Sequence, residues 1–151
     1  MLRDKINDSV KTAMKAQDKP RLSTLRLVNS SLKNADIEAR GQGKEPLADE
    51  DILGLLQKMI KQRQESVELY DKGGRADLAG AEREEIAIIS SFLPKQLTDD
   101  EIKAAIAEAV KETGAASVKD MGKVMGALKQ RYTGKMDFAK AGGLVKGQLG
   151  S

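Results

Sequence analysis

Apolar residues recur along this chain at a spacing near 3.6 almost everywhere and near 2 almost nowhere, which predicts helices and no sheet. A first helix is predicted from about Leu2 to Ala16, with Leu2, Ile6, Val10, Ala13 and Met14 on one face. Gln17-Asp18-Lys19-Pro20 breaks it, and Pro20 suits the first turn of the next helix, where an N–H has no partner to lose. That helix carries Leu22, Leu25, Val28, Leu32 and Ala35 and stops at Gly41, so Gly41-Gln42-Gly43-Lys44-Glu45-Pro46 reads as a mobile loop. Asp49 is placed as the N-cap of the third and longest helix, whose stripe is Ile52, Leu55, Leu56, Met59, Ile60, Arg63, Val67 and Tyr70. Gly73-Gly74 ends it, and a fourth helix presents Leu78, Glu82, Glu85, Ile86, Ile89 and Phe92.

Pro94 disfavours helical geometry at Leu93, so Leu93-Pro94-Lys95-Gln96-Leu97 is expected to be extended and to join two domains. Beyond it, Thr98 and Glu101 make a capping box for a helix with Ile102, Ala105, Ile106, Ala109 and Val110, closed by Gly114. Ser117 with Asp120 is expected to cap the next helix in a similar way, ahead of Val118, Met121, Val124, Met125 and Leu128. Gly134-Lys135-Met136-Asp137 is the turn into a last helix packed by Phe138, Ala141, Leu144, Val145 and Leu149. The expected fold is all-α: an N-terminal four-helix unit over residues 1–95, then a small C-terminal three-helix bundle over 96–151. Gly142-Gly143 falls inside the last helix, where each glycine costs about 1 kcal/mol relative to alanine, so that end is expected to fray.

Composition narrows the chemistry. The apolar 40% is nearly all aliphatic, with two Phe, two Tyr and no Trp, so the cores must be built from aliphatic stripes. No cysteine means no disulfide, thiolate nucleophile or thiolate metal site, and no histidine removes the commonest general base and metal ligand. The expectation is therefore no catalytic residue, no metal and no cofactor. Arg3, Asp4, Lys5 and Asp8 interrupt the N-terminus where a signal peptide needs an apolar run. Ile86-Ala87-Ile88-Ile89 is as long as any aliphatic run, against the roughly 20 residues that span a bilayer. A soluble, cytoplasmic protein without membrane contact is expected.

The net charge of +3 is too mild to indicate a partner, but its distribution is uneven. From Thr98 to Thr113 the chain has five acids and two lysines, whereas from Gly114 to Ser151 it has seven Lys/Arg against two Asp. The seven are Lys119, Lys123, Lys129, Arg131, Lys135, Lys140 and Lys146. They read either as the solvated surface of a lysine-rich bundle or as a phosphate-contacting face, with Gly122 and Gly126 allowing a backbone to approach. Only Tyr132 and Phe138 flank the turn, too few aromatics to stack on single-stranded bases. Shape and backbone recognition of a folded RNA fits better.

A second charged set lies in the N-terminal half. Glu82 and Glu85 fall on the apolar face of their helix, Arg63 interrupts the stripe of its neighbour, and Arg26 follows Leu25. Burying charge without a partner is too costly, so these groups are expected to pair. They read either as an acid–base or ammonia-handling cluster or, preferably, as a charge network that fixes helix register. Gly73-Gly74-Arg75 precedes a helix N-terminus but lacks the spacing of a phosphate loop and has no strand before it, so a plain turn is expected, with Arg75 and Asp77 bonding the start of the fourth helix.

Taken in order, these landmarks resemble the GatB/YqeY family. They are Leu25-Arg26; Lys61-Gln62-Arg63; Gly74-Arg75-Ala76-Asp77-Leu78 with Glu82 and Glu85; Phe92-Leu93-Pro94-Lys95-Gln96-Leu97; Lys119-Asp120-Met121-Gly122-Lys123-Val124-Met125; Gly134-Lys135 with Asp137; and Val145-Lys146. The resemblance covers essentially the whole chain and is to the free-standing YqeY type, which lacks the GatB catalytic cradle. It implies a C-terminal half similar to the tail with which the amidotransferase subunit grips tRNA. The implied role is a non-catalytic tRNA-binding accessory, with an amidotransferase or an aminoacyl-tRNA synthetase as the suggested protein partner. A carbon–nitrogen ligase activity using glutamine as amido-N-donor, or a protein-interaction adaptor without an RNA role, are the alternatives. Gly142-Gly143 departs from the family pattern, which usually has better helix formers there.

Overall fold

A computed structural model describes residues 1–150 and is helical throughout, without a strand among them. Helices α1 (Leu2–Lys15), α2 (Lys19–Gly41), α3 (Asp49–Lys72) and α4 (Ala76–Ser90) precede α5 (Asp99–Thr113), α6 (Met121–Tyr132) and α7 (Phe138–Gln148). The chain divides into two compact units, one of residues Met1–Leu93 and one that begins at Pro94.

Local signals explain most of the boundaries. Asp18 accepts the Arg21 N–H at 3.3 Å and Pro20 occupies the first turn of α2, while Gln17, at φ +55°, reverses the chain between α1 and α2. Thr98 and Glu101 form the reciprocal cap of α5 at 3.2 and 3.0 Å, and Gly114 ends that helix at φ +69°. Two expected caps differ. Ala48, not Asp49, is the N-cap of α3: Asp51 takes the Ala48 N–H at 3.2 Å, and the Asp49 carboxylate is turned to the Leu2 N–H at 3.3 Å. Ser117 does not cap α6. Asp120 instead accepts the Ala116 N–H at 3.0 Å and closes a short 3₁₀ turn, Val118–Asp120, ahead of the helix.

The first unit packs Leu2 and Ile6 of α1, Val28 and Leu32 of α2, Ile52, Leu56, Met59 and Ile60 of α3 and Ile89 of α4 into one core. Ala13, Leu25 and Ile88 form a smaller cluster, with Val10, Leu22 and Phe92 against it. Ala13 faces this cluster, which leaves Met14, expected on the same face, 54% exposed. An ion pair holds α1, α2 and the loop after α2 together. Arg3 donates twice to the Asp36 carboxylate, at 2.7 and 3.1 Å, and once to the Leu47 carbonyl at 3.1 Å. Asp36 also accepts the Leu47 N–H at 2.9 Å, so the end of the expected mobile loop is pinned. The side-chain bonds from Arg3, followed by the Leu47 N–H, hold the Asp36 carboxyl below its ordinary pKa.

The second unit buries Ile102, Ala105, Ile106 and Ala109 of α5, Val124 and Leu128 of α6, and Ala141 and Val145 of α7 around Met136. Gly142 and Gly143 lie within α7, and the two differ. Gly142 is buried, and a Cβ there would sit 3.4 Å from Met121 Cε, whereas a Cβ on Gly143 would meet nothing within 4 Å.

Two predictions follow from this packing. Gly143→Ala should stabilise the chain by about 0.5–1 kcal/mol, because it restricts the unfolded chain and meets no neighbour. A lower urea midpoint in the variant would contradict it. Asp36→Asn should destabilise by about 1–2 kcal/mol at pH 7, the range of a charge-assisted bond at a partly solvated site. The Asp36 pKa is lowered on folding, so its contribution is present above the unfolded value, about 3.9, and is lost as pH falls through the folded value. The gap between parent and variant in urea unfolding should therefore narrow on going from pH 7 to pH 3.

Candidate nucleic-acid interface

All seven basic residues of the second unit are exposed, and the acidic helix α5 neutralises two of them. Arg131 pairs with Glu112, and Lys140 with Asp99 at 2.6 Å. The bond to Lys140 holds the Asp99 carboxyl below the ordinary carboxylate range, and the bond to Glu112 raises the Arg131 guanidinium. Lys119, Lys129, Lys135 and Lys146 have no carboxylate partner among the described residues, and Lys123 makes no ion pair among them but interacts with the nearby Asp120 carboxylate. Acids thus sit against the edges of α6 and α7, and the positive charge left over points to solvent.

The helical register arranges this remainder. In α6, Val124 and Leu128 face the core, so Gly122, Lys123, Gly126 and Lys129 fall on the outer side. In α7, Ala141, Gly142 and Val145 face inward, and Ala139, Gly143, Lys146 and Gly147 lie outside. Nothing stands within 4 Å of a Cβ built at Gly122, Gly126, Gly143 or Gly147. Each helix therefore offers a low strip beside lysines. Such a strip lets a phosphodiester backbone approach while ammonium groups on flexible stems meet its oxygens.

The turn between α6 and α7 is held from below. Gly134 adopts φ +76°, its carbonyl accepts the Gln96 amide at 2.6 Å, and the Lys135 carbonyl accepts the Leu97 N–H at 2.9 Å. Met136, 2% exposed, anchors the turn in the core, and Asp137 caps α7 by accepting the Ala139 N–H at 2.9 Å. The Lys135 side chain is left on the outside of a fixed loop. Tyr132 and Phe138 both pack against the core, so neither offers a free stacking face.

Of the second charged set, Arg63 pairs with Glu85 and Arg75 with Asp77. Arg63 Nε donates to Glu85 at 2.7 Å and Nη1 to the Met59 carbonyl at 3.1 Å, with the two side chains 15% and 30% exposed. Arg75 bonds Asp77 at 3.4 Å on the open surface beside the α3–α4 turn. Arg83 pairs with Asp71 across that turn, a contact the sequence reading missed although their spacing spans a helix–turn–helix. Glu82 is half-buried without an ion pair among the described residues, and Arg26 is exposed, on the side of α2 away from the buried Leu25 and Val28. The reason is that the α3–α4 hairpin outruns the core: α3 buries nothing after Ile60, and α4 buries only Ala79 before Ile88. Glu82 and Glu85 accordingly remain partly exposed.

Two helical units, the second with a set of exposed basic residues on α6, α7 and the turns beside them, define an all-α protein. The chain belongs to the YqeY-like family, whose description "Yqey-like protein" matches it over residues 3–149. Among curated relatives, "Altered inheritance of mitochondria protein 41, mitochondrial" of Vanderwaltozyma polyspora is 30% identical over 77% of this chain and 64% of its own length. Proteins of the same name are 38% identical in Lachancea thermotolerans, over 58% of this chain and 46% of the relative, and 27% identical in Pyrenophora tritici-repentis, over 84% and 71%. The chain thus spans about half to two thirds of the length of the first two relatives. Among the described residues no helix is long and apolar enough to cross a membrane.

Because Arg63 and Glu85 keep contact with water, breaking their pair should be mild. Arg63→Met should cost about 1–2 kcal/mol, below the 3–5 typical when a fully buried partner is stranded. Thermal unfolding of the variant checks this, and a loss above that range would mean that the pair is screened from water.

Proposed function

We propose that the second unit binds folded RNA, with tRNA the leading ligand, and that the protein is a non-catalytic accessory acting in the cytoplasm beside a tRNA-dependent amidotransferase or an aminoacyl-tRNA synthetase. The observation that carries this reading is the division of charge in the second unit. Two of the five acids of α5, Asp99 and Glu112, pair with Lys140 and Arg131, and five exposed lysines make no ion pair among the described residues. Lysines on an open surface, beside glycines that admit a backbone and without free aromatic faces, suit phosphates rather than bases. The resemblance of this half to a tRNA-gripping tail points the same way.

Binding of this kind is electrostatic and therefore salt-dependent. Replacing Lys123, Lys129 and Lys135 together by Gln should weaken tRNA binding in fluorescence anisotropy and lower the slope of log affinity against log salt by about two to three contacts. Helix content by circular dichroism should hardly change, since exposed lysines add little stability. An unchanged affinity and slope in the triple variant would reject the α6–α7 face as the RNA site.

A further inference from the structure

Arg26 stands apart from the charge network expected of it, and its surroundings suggest a different use. A hollow of about 530 Å³ opens on α2, lined by Lys19, Leu22, Ser23, Arg26, Leu27 and Ser30. These positions recur every three or four residues and so share one side of the helix over about three turns, roughly 16 Å at 1.5 Å per residue. The opposite side holds Thr24, Leu25, Val28 and Leu32, all buried. Leu27 is 45% exposed and Ile37, on the same outer side, 60%. The side chains of Lys19 and Arg26 make no ion pair or hydrogen bond among the described residues. Of the acids at α2, the N-cap Asp18 accepts the Arg21 N–H and Asp36 is turned to Arg3, while Glu38 is exposed more than a turn beyond the lining residues.

We infer that this outer face of α2 is a docking surface for an acidic amphipathic helix of a partner protein. The charge selects the occupant: two unpaired cations flank an aliphatic floor with no carboxylate of this chain among the lining residues. A helix with leucine-like side chains at i and i+3 or i+4 would fill the hollow, and glutamates or aspartates beside them would meet Lys19 and Arg26. Ser23 and Ser30 add hydroxyls at the rim, where side chains of such a helix can be hydrogen-bonded. RNA fits this face less well, because leucines separate its cations and no aromatic ring lies among the lining residues. A bilayer fits less well too, since only two of its six lining residues are large and apolar.

The test is selection of a displayed library of helical peptides on the full-length chain, followed by anisotropy with the enriched peptides. Enriched sequences should be acidic and amphipathic, and amide shifts on adding them should cluster on α2. Affinity should fall on the order of tenfold in Arg26→Glu and in Leu27→Asp, both solvent-facing changes whose folding circular dichroism can confirm. The Lys123, Lys129 and Lys135 triple variant should bind the peptides normally, which separates this surface from the RNA face. Failure to enrich, enriched peptides that lack acids, or shifts located away from α2 would overturn the proposal. So would vesicle flotation with anionic phosphatidylglycerol, or dimerisation in sedimentation, that depends on Arg26 while peptide binding does not.

Discussion

The close packing of aliphatic side chains is the interaction on which everything else in this protein depends. The chain has two Phe, two Tyr and no Trp in 151 residues; Phe92, Tyr132 and Phe138 pack at the margins, partly exposed, and the buried part of each core is built from aliphatic side chains contributed by several helices at once. Such side chains give burial without direction. Helix register must then come from smaller, directional contacts, and the structure places these at the margins. Arg3 and Asp36 fasten the loop after α2, while Asp99, Glu112, Arg131 and Lys140 fasten α5 to its neighbours. Each pair is partly solvated, so it adds modest stability while setting how the helices meet.

The same arrangement produces the charge pattern of the second unit. A helix rich in acids behind two lysine-bearing helices neutralises only the cations at its edges. The cations on the far side of α6 and α7 cannot reach it, since Val124, Leu128, Ala141 and Val145 stand between. Packing therefore sorts seven basic residues into two that pair with α5 and five that make no ion pair among the described residues. The two roles follow from position around the helix and not from residue type.

The first unit shows the reverse case. Its α3–α4 hairpin extends past the layer that covers it, and the polar residues of its far half pair locally or are hydrated. A charged residue on an apolar stripe is thus a weak sign of a buried network when the stripe runs on beyond its cover. Arg26 illustrates the point from α2, where it lies on the outer side with Lys19 and Leu27.

By itself the sequence determined the class of structure, most helix ends and the family. Pro20, Gly41, Gly73, Thr98 with Glu101, and Gly114 act through bonds and dihedrals within about four residues, so their effect is legible in the chain. The cap of α3 escaped because Asp49 is used by Leu2, which lies 47 positions away. The tertiary structure alone decided that Asp36 meets Arg3, that Met136 in a turn is core while Met14 in a helix is not, and which basic residues keep an acid. Those outcomes depend on where helices cross and where they outrun one another. Apolar periodicity names the inward side of each helix, but it carries no information about which residue of a neighbour arrives there.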